Sequence, residues 1–234
     1  MKKIVFLLSV FLSSLSYTQN GQAYYQKQLE SSTDSIDDGY MRKALKSLQT
    51  RQYKLMFNNT EAVYDEVKGL DINQNPVVEA FVQGISEFSG KVYFNLSKKI
   101  ILNKKVISDQ TFLIEKKKID WILSKDTLKI DNYLCYKATT TKVIENAEGI
   151  HKLEVAAWYA PDIPLPYGPD GYGGLPGLIL QLNNNGTITS LKRIEFMNHV
   201  DNLDVNFSKK VKRVSEDEFN DIISKLYSNR KNKY

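Results

Sequence analysis

The chain has 234 residues, 32 basic against 27 acidic side chains for a formal charge of +5, one cysteine and two histidines. One cysteine leaves no internal disulfide, and one thiol with two histidines leaves too few ligands for the usual zinc sets. The basic residues fall in short clusters among acids, Lys104-Lys105, Lys116-Lys117-Lys118, Lys209-Lys210 and Arg230-Lys231, which argues for solvated strand ends and against the single basic face of a nucleic-acid reader.

The first residues, MKKIVFLLSVFLSSLSYTQ, set two lysines ahead of an apolar run from Ile4 to Leu12 and then small polar residues. That is the order of a secretory signal peptide. The run is too short to span a bilayer, which takes about 20 residues. Cleavage is expected after Thr18, giving a signal peptide at 1–18, a single β-rich domain at 19–228 and a basic tail at 229–234. No other segment is apolar enough to cross a membrane, so the product is expected to be exported and not membrane-spanning.

Gln22 to Leu29 reads as a first strand, broken by the turn formers of SSTDSIDDGY. Met41, Ala44, Leu45 and Leu48 recur at three- and four-residue spacing, which predicts a short amphipathic helix over 40–48. Tyr53, Leu55 and Phe57 then alternate with polar neighbours, and Asn58-Asn59-Thr60 predicts a hairpin into 62–67. β-rich runs return at 92–95, 100–103, 111–115, 121–123, 134–141, 153–159, 178–182 and 187–196, with Asn185-Gly186 favouring a hairpin turn. A parallel α/β sheet needs a helix between successive strands, and none is read here. Ser215 with Glu218 makes a capping box, and Phe219, Ile222, Ile223 and Leu226 form one stripe. The expected fold is mainly β: a single curved antiparallel sheet or half-barrel, with a short helix in the N-terminal half and a C-terminal helix packed on it.

Five of the six prolines lie between Pro161 and Pro176, so one long loop is stiffened. Leu175-Pro176-Gly177-Leu178 fits a type II turn with Gly177 at positive φ, and Leu178-Ile179-Leu180 should be covered on both faces. No Lys or Ser follows the glycines and no helix opens there, which separates the stretch from a phosphate loop. GLPGLIL at 174–180, with AWYAPDIPLPYGP at 157–169 and DNYLCYKATTT at 131–141, resembles the GLPGLI family of exported Gram-negative envelope proteins. Asn132 stands where that pattern would have glycine. The resemblance implies a β-rich periplasmic protein with no established activity, and it carries over Gly174, Pro176 and Gly177 as a structural motif only.

The chemistry-bearing residues form no recognisable constellation. There is no G-x-S-x-G elbow, Cys135 sits between Leu134 and Tyr136 as a buried thiol would, and neither C-x-x-C nor H-E-x-x-H occurs. His151 is expected at the exposed start of a strand. Asp34, Asp37, Asp38, Asp162 and Asp170 are read as turn formers. No catalytic residue, metal or cofactor is assigned. Trp158 falls on the polar side of its strand, beside the stiff loop carrying Tyr167 and Tyr172, and these three are the candidate ligand-binding residues. The reading that results is a non-catalytic binding or accessory protein for an apolar, lipid-like ligand or an envelope protein partner. The alternative is an envelope hydrolase with a scattered site.

Overall fold

The computed structural model is described over residues 20–30, 39–69, 75–88, 90–107, 109–146, 149–200, 203, 207 and 211–231. The signal-peptide assignment and Asp34, Asp37 and Asp38 lie outside the described residues. In chain order the elements are β1 (Asn20–Leu29), α1 (Gly39–Thr50), β2 (Tyr53–Phe57), β3 (Glu61–Glu66), α2 (Pro76–Ser86), β4 (Val92–Asn95), β5 (Ile100–Ile107) and β6 (Gln110–Glu115). They continue with β7 (Ile122–Ile130), β8 (Tyr133–Asn146), β9 (Gly149–Ala160), a 3-10 turn at Pro169–Gly171, β10 (Leu178–Asn184), β11 (Thr187–Met197), β12 (Lys212–Ser215) and α3 (Glu216–Lys231).

The strands form one sheet in the order β12-β6-β5-β4-β3-β2-β1-β11-β10-β9-β8-β7. Two local meanders, β2 to β6 and β7 to β11, are sewn together by β1, which pairs antiparallel with β2 on one side and β11 on the other. The reach of the chain between the meanders fixes the shape. β6 and β7 are ten places apart in this order, about 48 Å if the sheet were flat. The link from Glu115 to Ile122 reaches about 25 Å at full extension. The sheet has to curl until its two ends approach, and it is a curved, unclosed half-barrel.

Register assigns the faces. Ile114, Asn103, Val92, Tyr64, Leu55, Ala23 and Ile194 lie in one cross-strand row on the inner face. Lys27, Thr189, Leu182, Ala157, Ala138 and Leu123 lie in another on the same face. Tyr25, Tyr53, Tyr64, Phe57 and Phe94 fill the centre of that face, all essentially unexposed. On the outer face of β3 to β5, Val63, Tyr93 and Leu102 pack with Leu203 and Phe207.

The sequence-predicted strands are present, most of them longer than their apolar cores. The 40–48 helix is α1, and Ala44, Leu45 and Leu48 are its buried residues. Residues 216–231 are helical: Ser215 and Glu218 make the reciprocal capping bonds, Ser215 N–H to the Glu218 carboxylate at 2.8 Å and Glu218 N–H to Ser215 Oγ at 3.2 Å. Phe219 packs on Phe112 edge-on at 5.5 Å, and the helix takes in part of the segment read as tail.

Two elements are additional to the sequence reading. Helix α2 begins at Asn75-Pro76, where Asn75 Oδ1 accepts from Val77 and Val78 N–H and proline takes the first helical position. Its Val78 and Val82 pack on Ala44 and Leu48 of α1. The other element is β12, which pairs parallel with β6, so the sheet is antiparallel except at that edge.

The 161–177 loop enters the half-barrel as its filling. Leu178 N–H donates to Ile163 O at 2.9 Å and Ile179 N–H to Tyr167 O at 3.0 Å, so the loop serves as strand neighbour to the start of β10, where β11 pairs only from Gln181 onward. The 3-10 turn reaches across to β3, β4 and β5. Leu178, Ile179 and Leu180 are fully buried, as a strand covered on both faces requires.

The expected type II turn is absent. Gly177 does not adopt positive φ, its N–H donates to Leu175 O at 2.8 Å, and Leu178 N–H goes to Ile163 instead of closing the turn. Glycine is required at 177 by close approach: a Cβ would sit 2.2 Å from Ala160 O. Positive φ belongs to Gly174, at +85° with open space around it. Gly177→Ala is therefore expected to cost about 1–3 kcal/mol or more by overpacking, and Gly174→Ala about 1 kcal/mol by backbone strain alone. Urea melts of the two variants check the order; equal losses would refute this account of the motif.

Candidate functional site

Where the loop meets the sheet, it buries a charge pair. Lys27 is the third residue of the inward-facing series Ala23, Tyr25, Lys27, and it is 2% exposed. Its ammonium donates to Asp170 Oδ2 at 2.6 Å and to Ser86 O at 2.6 Å, and lies 4.9 Å from the centre of the Tyr53 ring. Ser86 is the last residue of α2, so the cation also meets the negative end of that helix. Thr189 Oγ1 donates to the same Asp170 oxygen at 3.3 Å. Asp170 holds its position at φ +56° inside the 3-10 turn.

Around this pair lies a shell of phenols. Tyr53 and Tyr64 stack at 6.0 Å, and Tyr25 meets Tyr64 edge-on at 6.1 Å. Burial pushes all three phenols above their ordinary range, and the Asp170 charge adds to the effect at Tyr53 and Tyr64. They stay protonated and serve as fixed dipoles. Tyr25 OH donates to Ile179 O at 2.9 Å, tying β1 to β10 where the ladder opens.

From the pair the polar cluster runs outward to the mouth of the half-barrel. Lys116 donates to Asp170 O at 3.4 Å and lies 5.3 Å from the Tyr172 ring centre. Lys105 lies 5.2 Å from the ring centre of Phe219 on α3. Desolvation pulls both ammonium groups below the ordinary lysine range, and for Lys105 the nearby Lys116 charge adds to it. Lys142 of β8 bonds Glu87 at 2.6 Å, just past the end of α2. Beside Lys116 opens a groove of about 480 Å³ lined by Glu115, Lys116, Lys117 and Arg213 to Glu216, with Glu218.

The three sequence-predicted ligand residues are not brought together on a surface. Tyr167 is 0% exposed, donates to Asn58 O at 3.1 Å and meets Phe94 at 5.5 Å. Tyr172 is buried against Trp121 at 6.2 Å. Trp158 is half-buried, packed against the central core, in an outer-face row with Lys137, Gln181, Ser190 and Gln26. Gly174 and Pro176 are exposed at the loop's end.

Cys135 is fully buried, and desolvation pushes its thiol up to about 11, the reverse of what a nucleophile needs. His151 and Asp162 are exposed. Among the described residues no three His, Cys, Asp or Glu side chains are grouped to hold a metal ion, and no helix is long and apolar enough to cross a membrane. Lys27 is the residue that sequence reasoning misses. Its signal is a charged side chain at an inward position of an alternating strand.

A family model described as a protein of unknown function (Porph_ging) matches residues 145–181. The match includes GLPGLIL but carries that description in place of the GLPGLI name. No curated protein matches the chain. Among solved structures, two crystal forms of PNGF-II are similar in fold, with TM-scores of 0.56 and 0.54 at 15% identity, over 88% of this chain and 33% of theirs. The chain thus spans about a third of the length of PNGF-II. An uncharacterised conserved protein from Thermus thermophilus gives a TM-score of 0.36 at 8% identity, over 85% of this chain and 91% of that one.

Asp170→Asn leaves Lys27 charged in the interior without its counter-ion, and a loss of about 3–5 kcal/mol is expected. The Lys27→Met, Asp170→Asn double variant should be more stable than the sum of the single losses predicts, because neither charge is then left alone. A double-mutant cycle by urea denaturation measures this; strict additivity would mean that the two groups do not interact.

Proposed function

We propose that the protein is a non-catalytic accessory module, exported to the periplasm, that holds a protein partner by a projecting hairpin. The observation that carries this reading is the β8–β9 arm. β7 pairs with β8 only as far as Thr139, and β10 pairs with β9 only as far as Val155. Beyond those rungs neither β7 nor β10 pairs with the two strands, whose link to the rest of the fold there includes the Lys142–Glu87 ion pair at 2.6 Å, and a two-stranded ribbon is marginal in water. Val143 and Ile150 nevertheless stand 59% and 68% exposed on its outer face, and Ile122 of β7, opposite Thr139 at the base of the arm, is 73% exposed on the same face. Exposed apolar side chains on a projecting element favour a docking role.

The interior supports the same reading. The loop and the tyrosine cluster occupy the inner face that a lipid-like cargo would need, so the protein-partner branch is preferred to the carrier branch. The hydrolase alternative has no support from the buried, high-pKa Cys135 or from the exposed His151. In PNGF-II a chain portion of this fold belongs to a longer protein, which supports a module working beside a larger partner.

The test is a Val143→Asp, Ile150→Asp double variant, tagged at the C-terminus and expressed in its native envelope. Both positions are solvent-exposed, so the melting temperature should be unchanged. A stoichiometric complex that forms with the parent protein, read by cross-linking and size-exclusion chromatography, should be lost. Retention of the same complex by the variant, or co-purification of lipid alone with the parent, would overturn the reading. The mass of the mature protein should correspond to cleavage after Thr18.

A further inference from the structure

We propose that the mouth of the half-barrel, between Lys105, Lys116 and Lys142, is a binding site for a small oxyanion, a phosphate- or carboxylate-bearing group. Three amines from distant elements converge at this opening. Lys105 is on β5, Lys116 follows β6 and Lys142 is on β8, and β5 and β8 are eight places apart in the sheet. Curling of the sheet brings them to one end of the inner face: Lys116 lies on Asp170 O and the Tyr172 ring, Lys105 on Phe219 of α3, and Lys142 on Glu87, next to Ser86, whose carbonyl holds the Lys27 that pairs with Asp170. Amines from distant strands meeting at one opening make an arrangement that no local sequence pattern requires.

Lys142 has Glu87 at 2.6 Å. Among the described residues neither Lys105 nor Lys116 has a carboxylate within ion-pair distance. Lys105 contacts the Phe219 ring, and Lys116 a backbone carbonyl and the Tyr172 ring. The other acids near them are Glu216, whose carboxylate is engaged by Lys117 N–H at 3.1 Å, and, for Lys116, Asp170, whose carboxylate is held by Lys27 at 2.6 Å. Elsewhere around the groove charges are matched: Arg213 with Glu115 at 2.8 Å, Lys117 with Asp217 at 2.7 Å, and Glu218 with Ser215. The two half-buried amines are the unmatched groups at this opening, and the adjoining groove of about 480 Å³ has room for a small anion. Lysine suits such a ligand as a point charge with three donors. An anion between them would offset both desolvation and mutual repulsion, and binding should draw protons on to these amines.

The probe is inorganic phosphate, with chloride at matched ionic strength as reference. Phosphate should raise the melting temperature of the parent protein above the chloride control, and calorimetry should show binding accompanied by proton uptake at alkaline pH. Lys105→Gln should weaken phosphate by about tenfold or more, Lys105→Arg should largely restore it, and Lys54→Gln, on the outer face, should bind as the parent does. Glu216→Gln removes an acid from the mouth and should tighten binding, a gain that a damaged fold cannot mimic. Equal response to phosphate and chloride, or parent-like binding by Lys105→Gln, would overturn the proposal. Glucuronate and vesicles of phosphatidylglycerol or phosphatidylcholine distinguish the sources. Glucuronate binding selects a carboxylate sugar, binding of phosphatidylglycerol vesicles alone selects a lipid headgroup, and binding of free phosphate without vesicles selects a soluble ligand.

Discussion

The architecture depends on a charge pair placed where the protein is driest. Lys27 and Asp170 meet at 2.6 Å with side chains 0% and 4% exposed, one on the strand that joins the two meanders and the other on the loop that fills the interior. Such a pair gains little over a well-packed apolar substitute, because desolvation consumes most of its attraction. Its effect is on selection. A loop of leucines, prolines and glycines has many ways to lie in an apolar trough, and only the placement that delivers Asp170 to Lys27 leaves no buried charge alone. The same contact sets the end of α2, through Ser86 O, and through Thr189 the course of β11.

That dependence explains what sequence can and cannot reveal. Strand alternation is local, so β1 to β6 and β8 to β11 are readable from period-two patterns such as Tyr53-Leu55-Phe57, and the double burial of Leu178-Ile179-Leu180 from its unbroken apolar run. The capping box at Ser215 and Glu218 announces α3. Helix α2 escapes the pattern reading although Asn75-Pro76 and the Val78–Val82 spacing carry its signal. β12 has four residues, and its only reason to be a strand is the parallel edge of β6, about a hundred positions earlier in the chain. Gly177 shows a different limit. Proline followed by glycine suggests a turn, while the cause is Ala160 O lying where a side chain would go, and no local pattern encodes a contact with the end of the preceding strand.

The candidate site divides in the same way. Tyr167, Tyr172 and Trp158 draw notice because aromatic residues beside a stiff loop suggest a surface, whereas Tyr167 and Tyr172 are buried, holding that loop against Phe94 and Trp121. Lys105 and Lys116 read as ordinary solvated charges in two separate basic clusters, and Lys142 of β8 draws no notice. Only closure of the curve makes neighbours of them. Electrostatics at the mouth is therefore a product of topology, and a residue-by-residue reading has no access to it.

The placement of β1 has a consequence for how the chain folds. Both meanders can form from contacts between adjacent hairpins, but the seam between them requires Asn20 to find Met197 and Leu29 to find Thr187. Closing so long a loop precedes any reward from the contacts it brings, and proteins dominated by distant pairings fold slowly. Until β11 arrives, β1 paired with β2 presents an open edge with Ala23 and Tyr25 uncovered. The interval between making the first hairpins and closing that seam is when this protein is most exposed to self-association, and the rate of seam closure sets how long it lasts.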